Sequence, residues 1–141
     1  MKKLSTRQSE IWLDDDNILW VRVEGNAHLD LEEVINCFDS YRNLGLGKIR
    51  VAQVLDLRQG ASMTLEAKNY VKEHGLSFFF AVAVISNSLA VRLIVNFFSL
   101  FHGQSLPLQL FSTEKEAVEW LKKIELKNAV RQKKATKELV K

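Results

Sequence analysis

Apolar residues along this chain switch between a spacing of two and a spacing of three to four, and each switch marks an element. Residues 10–13 and 18–23 are β-rich runs separated by Asp14-Asp15-Asp16-Asn17, a set of turn formers, and they predict an antiparallel hairpin. In the second run Leu19, Val21 and Val23 share one face, and Ile18, Trp20 and Arg22 share the other. The wholly apolar face should meet helices. After Gly25, Asp30 can cap the first amides of a helix, with Glu33 at the reciprocal capping-box position. Leu31, Val34, Ile35, Phe38 and Tyr41 follow helical spacing, and Gly45 and Gly47 supply the stop.

Residues 49–57 predict a strand that is apolar on both faces, as in a parallel sheet, with Asp56 and Arg58 at its carboxyl end. Thr64 or Ser62 can cap a second helix with core face Ala67, Tyr70 and Val71, closed by Gly75 in the position favoured for a left-handed cap. Residues 78–85 are the most apolar strand and should be central; Ser86-Asn87-Ser88 ends it and opens a third helix over residues 89–102. Leu106, Leu108 and Leu110 alternate with Pro107 and Gln109, the signature of an edge strand. Thr113 and Glu116 form a second capping box before a fourth helix with inner face Ala117, Trp120, Leu121 and Ile124.

Short connections in this order require parallel neighbours and right-handed crossovers, which gives an α/β fold with a mixed, mostly parallel sheet, an N-terminal antiparallel hairpin and four helices. Residues 10–124 read as one domain and residues 125–141 as a basic C-terminal extension. From Lys127 the apolar pattern thins, leaving either a frayed continuation of the last helix or a disordered tail.

Charge sharpens this division. The chain carries a net +3, yet residues 122–141 alone hold eight Lys or Arg against Glu125 and Glu138, so the body is mildly acidic. A nucleic-acid contact would rest on the tail alone, where the missing aromatic interleaving argues against it. At 141 residues with 47% hydrophobic content, the chain can bury a core without a staple. Cys37 is the only cysteine, set among Ile35 and Phe38, and reads as a small buried hydrophobe. No apolar h-region follows the charged start and no stretch reaches a membrane span, so a cytoplasmic location is expected.

Ile18-Leu19-Trp20-Val21-Arg22-Val23-Glu24-Gly25 before a capped helix, Val54-Leu55-Asp56-Leu57 before a second helix, and the order of elements resemble the STAS-like (SpoIIAA-like) family of anti-sigma factor antagonists and sulfate-transporter domains. Arg92-Leu93-Ile94-Val95-Asn96-Phe97-Phe98, Leu108-Gln109-Leu110-Phe111 and Ala117-Val118-Glu119-Trp120-Leu121 are similar to an uncharacterised bacterial STAS-like group. The resemblance implies a regulatory interaction module. In the antagonists a phosphorylatable serine follows an aspartate at the second helix; here Gly60-Ala61-Ser62-Met63-Thr64 lacks the Asp-Ser-Ser-Gly pattern.

Candidate chemistry is sparse. His28, His74 and His102 stand apart without metal-ligand spacing, and Asp14-Asp15-Asp16 lacks the spaced ligands and turn glycine of a calcium loop, so no metal or cofactor is expected. No phosphate loop or nucleophile elbow occurs, and no catalytic residues are assigned. The third helix is the least ordinary feature. It is apolar nearly all round, interrupted only by Ser88, Arg92, Asn96 and Ser99. Some of its aromatic residues should therefore meet a partner, and Arg92, Asn96, Phe97, Phe98 and Phe101 are the candidate binding residues. Asp56, Arg58, Ser62, Ser86 and Asn87 should form a rim at the carboxyl ends of the strands, where ligands favour such sheets. The expected function is a non-enzymatic module that binds a protein partner or itself. The alternative is a carrier or sensor of a small apolar or lipid-like ligand in a crevice beside Phe97 and Phe98, anchored by Arg92.

Overall fold

A computed structural model describes residues 2–102 and 105–140, with the side chains at 101, 102, 135, 136 and 138–140 outside the described set. The elements run β1 (Lys3–Ser5), β2 (Ser9–Leu13), β3 (Ile18–Val23), β4 (Ala27–Leu29), α1 (Leu31–Asn43), β5 (Val51–Asp56), β6 (Ala61–Met63) and α2 (Leu65–His74). A 3-10 turn (Gly75–Ser77) then leads to β7 (Phe79–Ile85), α3 (Leu89–His102), β8 (Leu108–Phe111) and α4 (Glu114–Val140). Six strands form one sheet in the order β1-β2-β3-β5-β7-β8, while β4 and β6 pair in a separate two-stranded ladder. The hairpin strands β2 and β3 are antiparallel, and β3, β5, β7 and β8 run parallel to their neighbours.

Asp14 builds the hairpin turn. Its Oδ1 accepts from the amides of Asp16 and Ile18, its Oδ2 accepts from Trp20 Nε1 at 2.8 Å, and Asn17 takes the left-handed φ of 59°. β8 lies at the sheet edge, where Pro107 removes no ladder donor from a central strand. β7 is interior, between β5 and β8, one place from the middle of the sheet.

The period of two along each strand feeds two separate cores. On one side Leu19, Val21, Val23, Val82 and Val84 pack against residues of α1, α2 and α3. On the other, Ile18, Trp20, Ala52, Val54, Ala81 and Ala83 meet Ala117 and Leu121 of α4. Trp12 and Trp20 stack there with ring centroids 5.8 Å apart.

Two local expectations are revised and an open one, the fate of the residues beyond Lys127, is narrowed to helix. Asp30 caps α1 by accepting from the Glu33 amide, but the Glu33 side chain does not return to Asp30; it crosses to residues 6–9, whose donors are closer to hand. Gly75 is right-handed, with φ −60° and ψ −39°, because the chain tightens from α2 straight into the 3-10 turn. Residues beyond Lys127 continue α4 as helix to Val140, although Leu126 and Val130 remain exposed because the helix has passed the sheet. Elsewhere the caps fall as read: Thr64 accepts from the Ala67 amide, and Gly45, with φ 87°, ends α1.

Candidate functional site

α3 divides into two apolar faces because its sequence is apolar nearly all round. Val91, Ile94, Val95 and Phe98 follow the i, i+3, i+4, i+7 spacing and are buried against the sheet. Leu89, Leu93 and Leu100 point outward and are 73%, 61% and 84% exposed. Arg92 and Asn96 are exposed beside them, and no ion pair of Arg92 occurs among the described residues. The outer leucines, with Asn96 between them, stand four, three and four residues apart.

The aromatic candidates behave differently from the expectation of an exposed aromatic surface. Phe98 is buried, since helix packing rotates it beneath α3, and it cannot serve an outer surface. Phe97 is half-buried, with Lys68 Nζ of α2 5.2 Å from its ring centre. The Phe101 side chain lies outside the described residues.

Beneath α3, where three helices share one side of the sheet, packing leaves a cavity of about 100 Å³. Val84, Ile94, Val95 and Phe98 supply part of its apolar wall, and Ser9, Glu33, Tyr41 and Gln53 its polar edge. Arg92 does not line it, and the polar groups that do come from α1, β2 and β5. Glu33 is only 1% exposed. Its Oε2 accepts from Thr6 Oγ1 at 2.7 Å, Ser9 Oγ at 3.0 Å and the Gln8 amide at 3.1 Å, whereas its Oε1 has no hydrogen-bond partner among the described residues. Gln53 Nε2 donates to Tyr41 Oη at 3.5 Å, and burial pushes the Tyr41 phenol well above its ordinary pKa. Burial, helped by nearby Glu33, raises the Cys37 thiol to about 11, which leaves it an inert packing group.

At the strand ends, Asp56 is buried between Arg22 and Arg58, with Nε–Oδ2 and Nη2–Oδ2 distances of 3.2 and 2.7 Å, and both arginines also reach Glu114 at the start of α4. Burial alone would raise the Asp56 carboxyl, but hydrogen bonds from the Arg58 side chain and amide and from Arg22 outweigh it and hold the pKa below 3.8. Ser86 Oγ accepts from the Ser88 amide and Asn87 Oδ1 from Ser112 Oγ, at the neighbouring end of β7. Ser62 belongs to the β4–β6 ladder, its Oγ 2.7 Å from His28 Nδ1. Of the five predicted rim residues only Asp56 and Arg58 bond each other, while Ser62, Ser86 and Asn87 serve separate local caps and turns with His28, Ser88 and Ser112.

Ser9 and Gln53 drew no site reading from the sequence, and Glu33 and Tyr41 were read only as a capping residue and a core residue. The available signals were Gln53 inside an apolar strand and Glu33 on the buried side of α1. Among the described residues, no three His, Cys, Asp or Glu side chains converge to hold a metal ion, and no helix is long and apolar enough to cross a membrane.

Residues 11–125 match the family described as Domain of unknown function (DUF7793), and the chain belongs to that family. A solved structure similar to it is an uncharacterised protein from the DUF3478 family, with a SpoIIAA-like fold, from Shewanella loihica PV-4. The two share 16% identity and a TM-score of 0.59, over 84% of this chain and 98% of that one. This likeness shows that the fold is SpoIIAA-like. No curated protein matches the chain.

Proposed function

We propose that this member of the DUF7793 family is a non-catalytic interaction module that pairs with a second copy of itself through the outer face of α3. The observation that carries the reading is the exposed series Leu89, Leu93, Asn96 and Leu100. Spacings of four, three and four are those of a helix–helix seam, and one Asn within such a seam sets register at some cost in affinity. Three leucines left in water form an apolar strip that folding alone does not require. The face carries a single charge, Arg92, so two copies meet with little like-charge repulsion.

Analytical ultracentrifugation of the full chain and of Leu93→Asp tests this reading. The wild type should associate in roughly the micromolar range, as a small helix-only interface allows, and the variant should stay monomeric with an unchanged melting midpoint. A wild type that is monomeric throughout that range, or a variant that associates equally well, defeats the proposal.

The cavity favours a second reading, carriage of a small apolar molecule beneath the same helix. Its largely hydrocarbon wall with a few convergent polar groups is the composition of ligand sites. Uptake of xenon, followed by methyl NMR, is the direct check; no saturable shift at Ile94, Val95 or Val84 would remove this reading.

A further inference from the structure

Ile124 is the last apolar residue of α4 in the core, and the helix then runs on to Val140 for about 24 Å. By the helical repeat, Lys123, Lys127, Val130, Arg131, Lys134 and Lys137 share roughly one third of the circumference, with Leu126 and Lys133 at its border. All of these side chains are exposed. Glu125, the one acid among the described side chains past Lys123, lies on the opposite face. Lys123, Lys127 and Arg131 follow one another at i, i+4, as do Lys133 and Lys137, and like charges at that spacing weaken a helix. None of these cations forms an ion pair among the described residues, whereas Lys122, off the stripe, reaches Asp16 at 3.5 Å. A one-sided run of unpaired like charges, carried past the core, is complementary to an extended anionic surface.

We propose that this stripe seats the end of α4 on an anionic membrane surface, its cations at lipid phosphates and Leu126 and Val130 at the hydrocarbon boundary. The apolar pair decides between a bilayer and a nucleic acid. Val130 stands in the middle of the stripe and is 49% exposed, and Leu126 at its border is 66% exposed. A phosphate backbone offers such residues nothing, whereas at a bilayer interface they meet acyl chains while lysine and arginine stems carry their charges out to the headgroups. The body before Lys122 is mildly acidic and is repelled by an anionic surface, so a helix that reaches past it supplies the contact. No described helix is long and apolar enough to cross a membrane, and the contact is peripheral. Pairing through α3 is not required for it.

Co-sedimentation of the full chain with vesicles tests the proposal. The protein should bind vesicles of phosphatidylglycerol and phosphatidylcholine in equal parts and leave vesicles of phosphatidylcholine alone in the supernatant. Replacing Lys127, Arg131 and Lys134 together by Gln should weaken binding about a hundredfold. Replacing Lys2, Lys48 and Arg50 by Gln gives the same net charge and should leave it unchanged. Val130→Gln, which keeps every charge, should weaken it about fivefold. A short DNA duplex at equal phosphate concentration should not displace the bound protein. No binding to the anionic vesicles, equal binding to the neutral ones, or equal losses for the two triple variants overturns the proposal. Displacement by the duplex, or an unaffected Val130→Gln, overturns the membrane as the partner and makes the stripe a nucleic-acid contact or a nonspecific one.

Discussion

α3 and α4 cover opposite sides of one sheet, and they differ in how completely each is used by the fold. α4 lays Ala117 and Leu121 against Ala52, Ala81 and Ala83, where small strand residues let the helix approach closely and both helix residues are buried. α3 shares its side with α1 and α2, and its buried residues line a cavity of about 100 Å³. Beyond the sheet, α4 exposes Leu126 and Val130 among lysines, whereas α3 exposes three leucines around Asn96. Over the stretch of α4 that meets the sheet, the outer face carries charges of both signs, Glu116 and Glu119 beside Lys115 and Lys122. Under the proposed function, the void beneath α3 and the apolar seam above it are the two surfaces that bind.

Substitutions on the two sides should separate these roles. Leu121→Ala, in the buried contact beneath α4, should cost about 2–5 kcal/mol in a denaturant titration. A loss under about 1 kcal/mol would show that the α4 side is not tightly packed. Adjacent residues of β7 give a sharper contrast. Ala83→Val on the α4 side should destabilise by about 1–3 kcal/mol, while Val84→Ile on the cavity side should be neutral or stabilising by up to about 1 kcal/mol. Equal costs for the two would erase the distinction between the sides.

The same contrast marks what could be read from the sequence. The hairpin, the four helices, the edge strand with Pro107 and the parallel order were legible because each is a local period bounded by caps and turns. β1, β4 and β6 are three residues each, too short to show a period. α3 was legible as a helix with apolar residues to spare, but its rotation was not: a helix apolar all round does not say that Phe98 turns in and Leu93 turns out. Glu33 has a local explanation, the capping box, that hides its actual contacts with residues 6–9. A cavity is a property of packing among ten strands and helices and leaves no local pattern at all.

The strand-end clamp supplies a pH dependence with a definite sign. Because the folded Asp56 carboxyl titrates below its ordinary 3.8, its contribution is complete above that value and is lost as pH falls through the lower folded pKa. Wild-type stability should therefore drop more steeply below pH 4 than that of Asp56→Asn, which is weaker at neutral pH but less acid-sensitive. Parallel melting curves for the two proteins would show the clamp to be irrelevant. The smallest effect is expected at the end of α4, where deletion of residues 127–141 should move the thermal midpoint by only a few degrees, since the exposed Val130 and flanking lysines pack on nothing in the sheet. A larger fall would make that end of α4 part of the core.

Oxidative cross-linking tests the difference between the two helices most directly, because the single native thiol, Cys37, is buried and held at about 11 and stays silent. Leu93→Cys on α3 and Leu126→Cys on α4 each introduce one exposed thiol. Paired α3 helices bring the seam positions of two copies within disulfide reach. At low micromolar concentration under mild oxidation, Leu93→Cys should form a disulfide-linked dimer and Leu126→Cys should remain monomeric. Equal cross-linking of both variants, or none at position 93, would contradict the assignment of α3 as the docking helix.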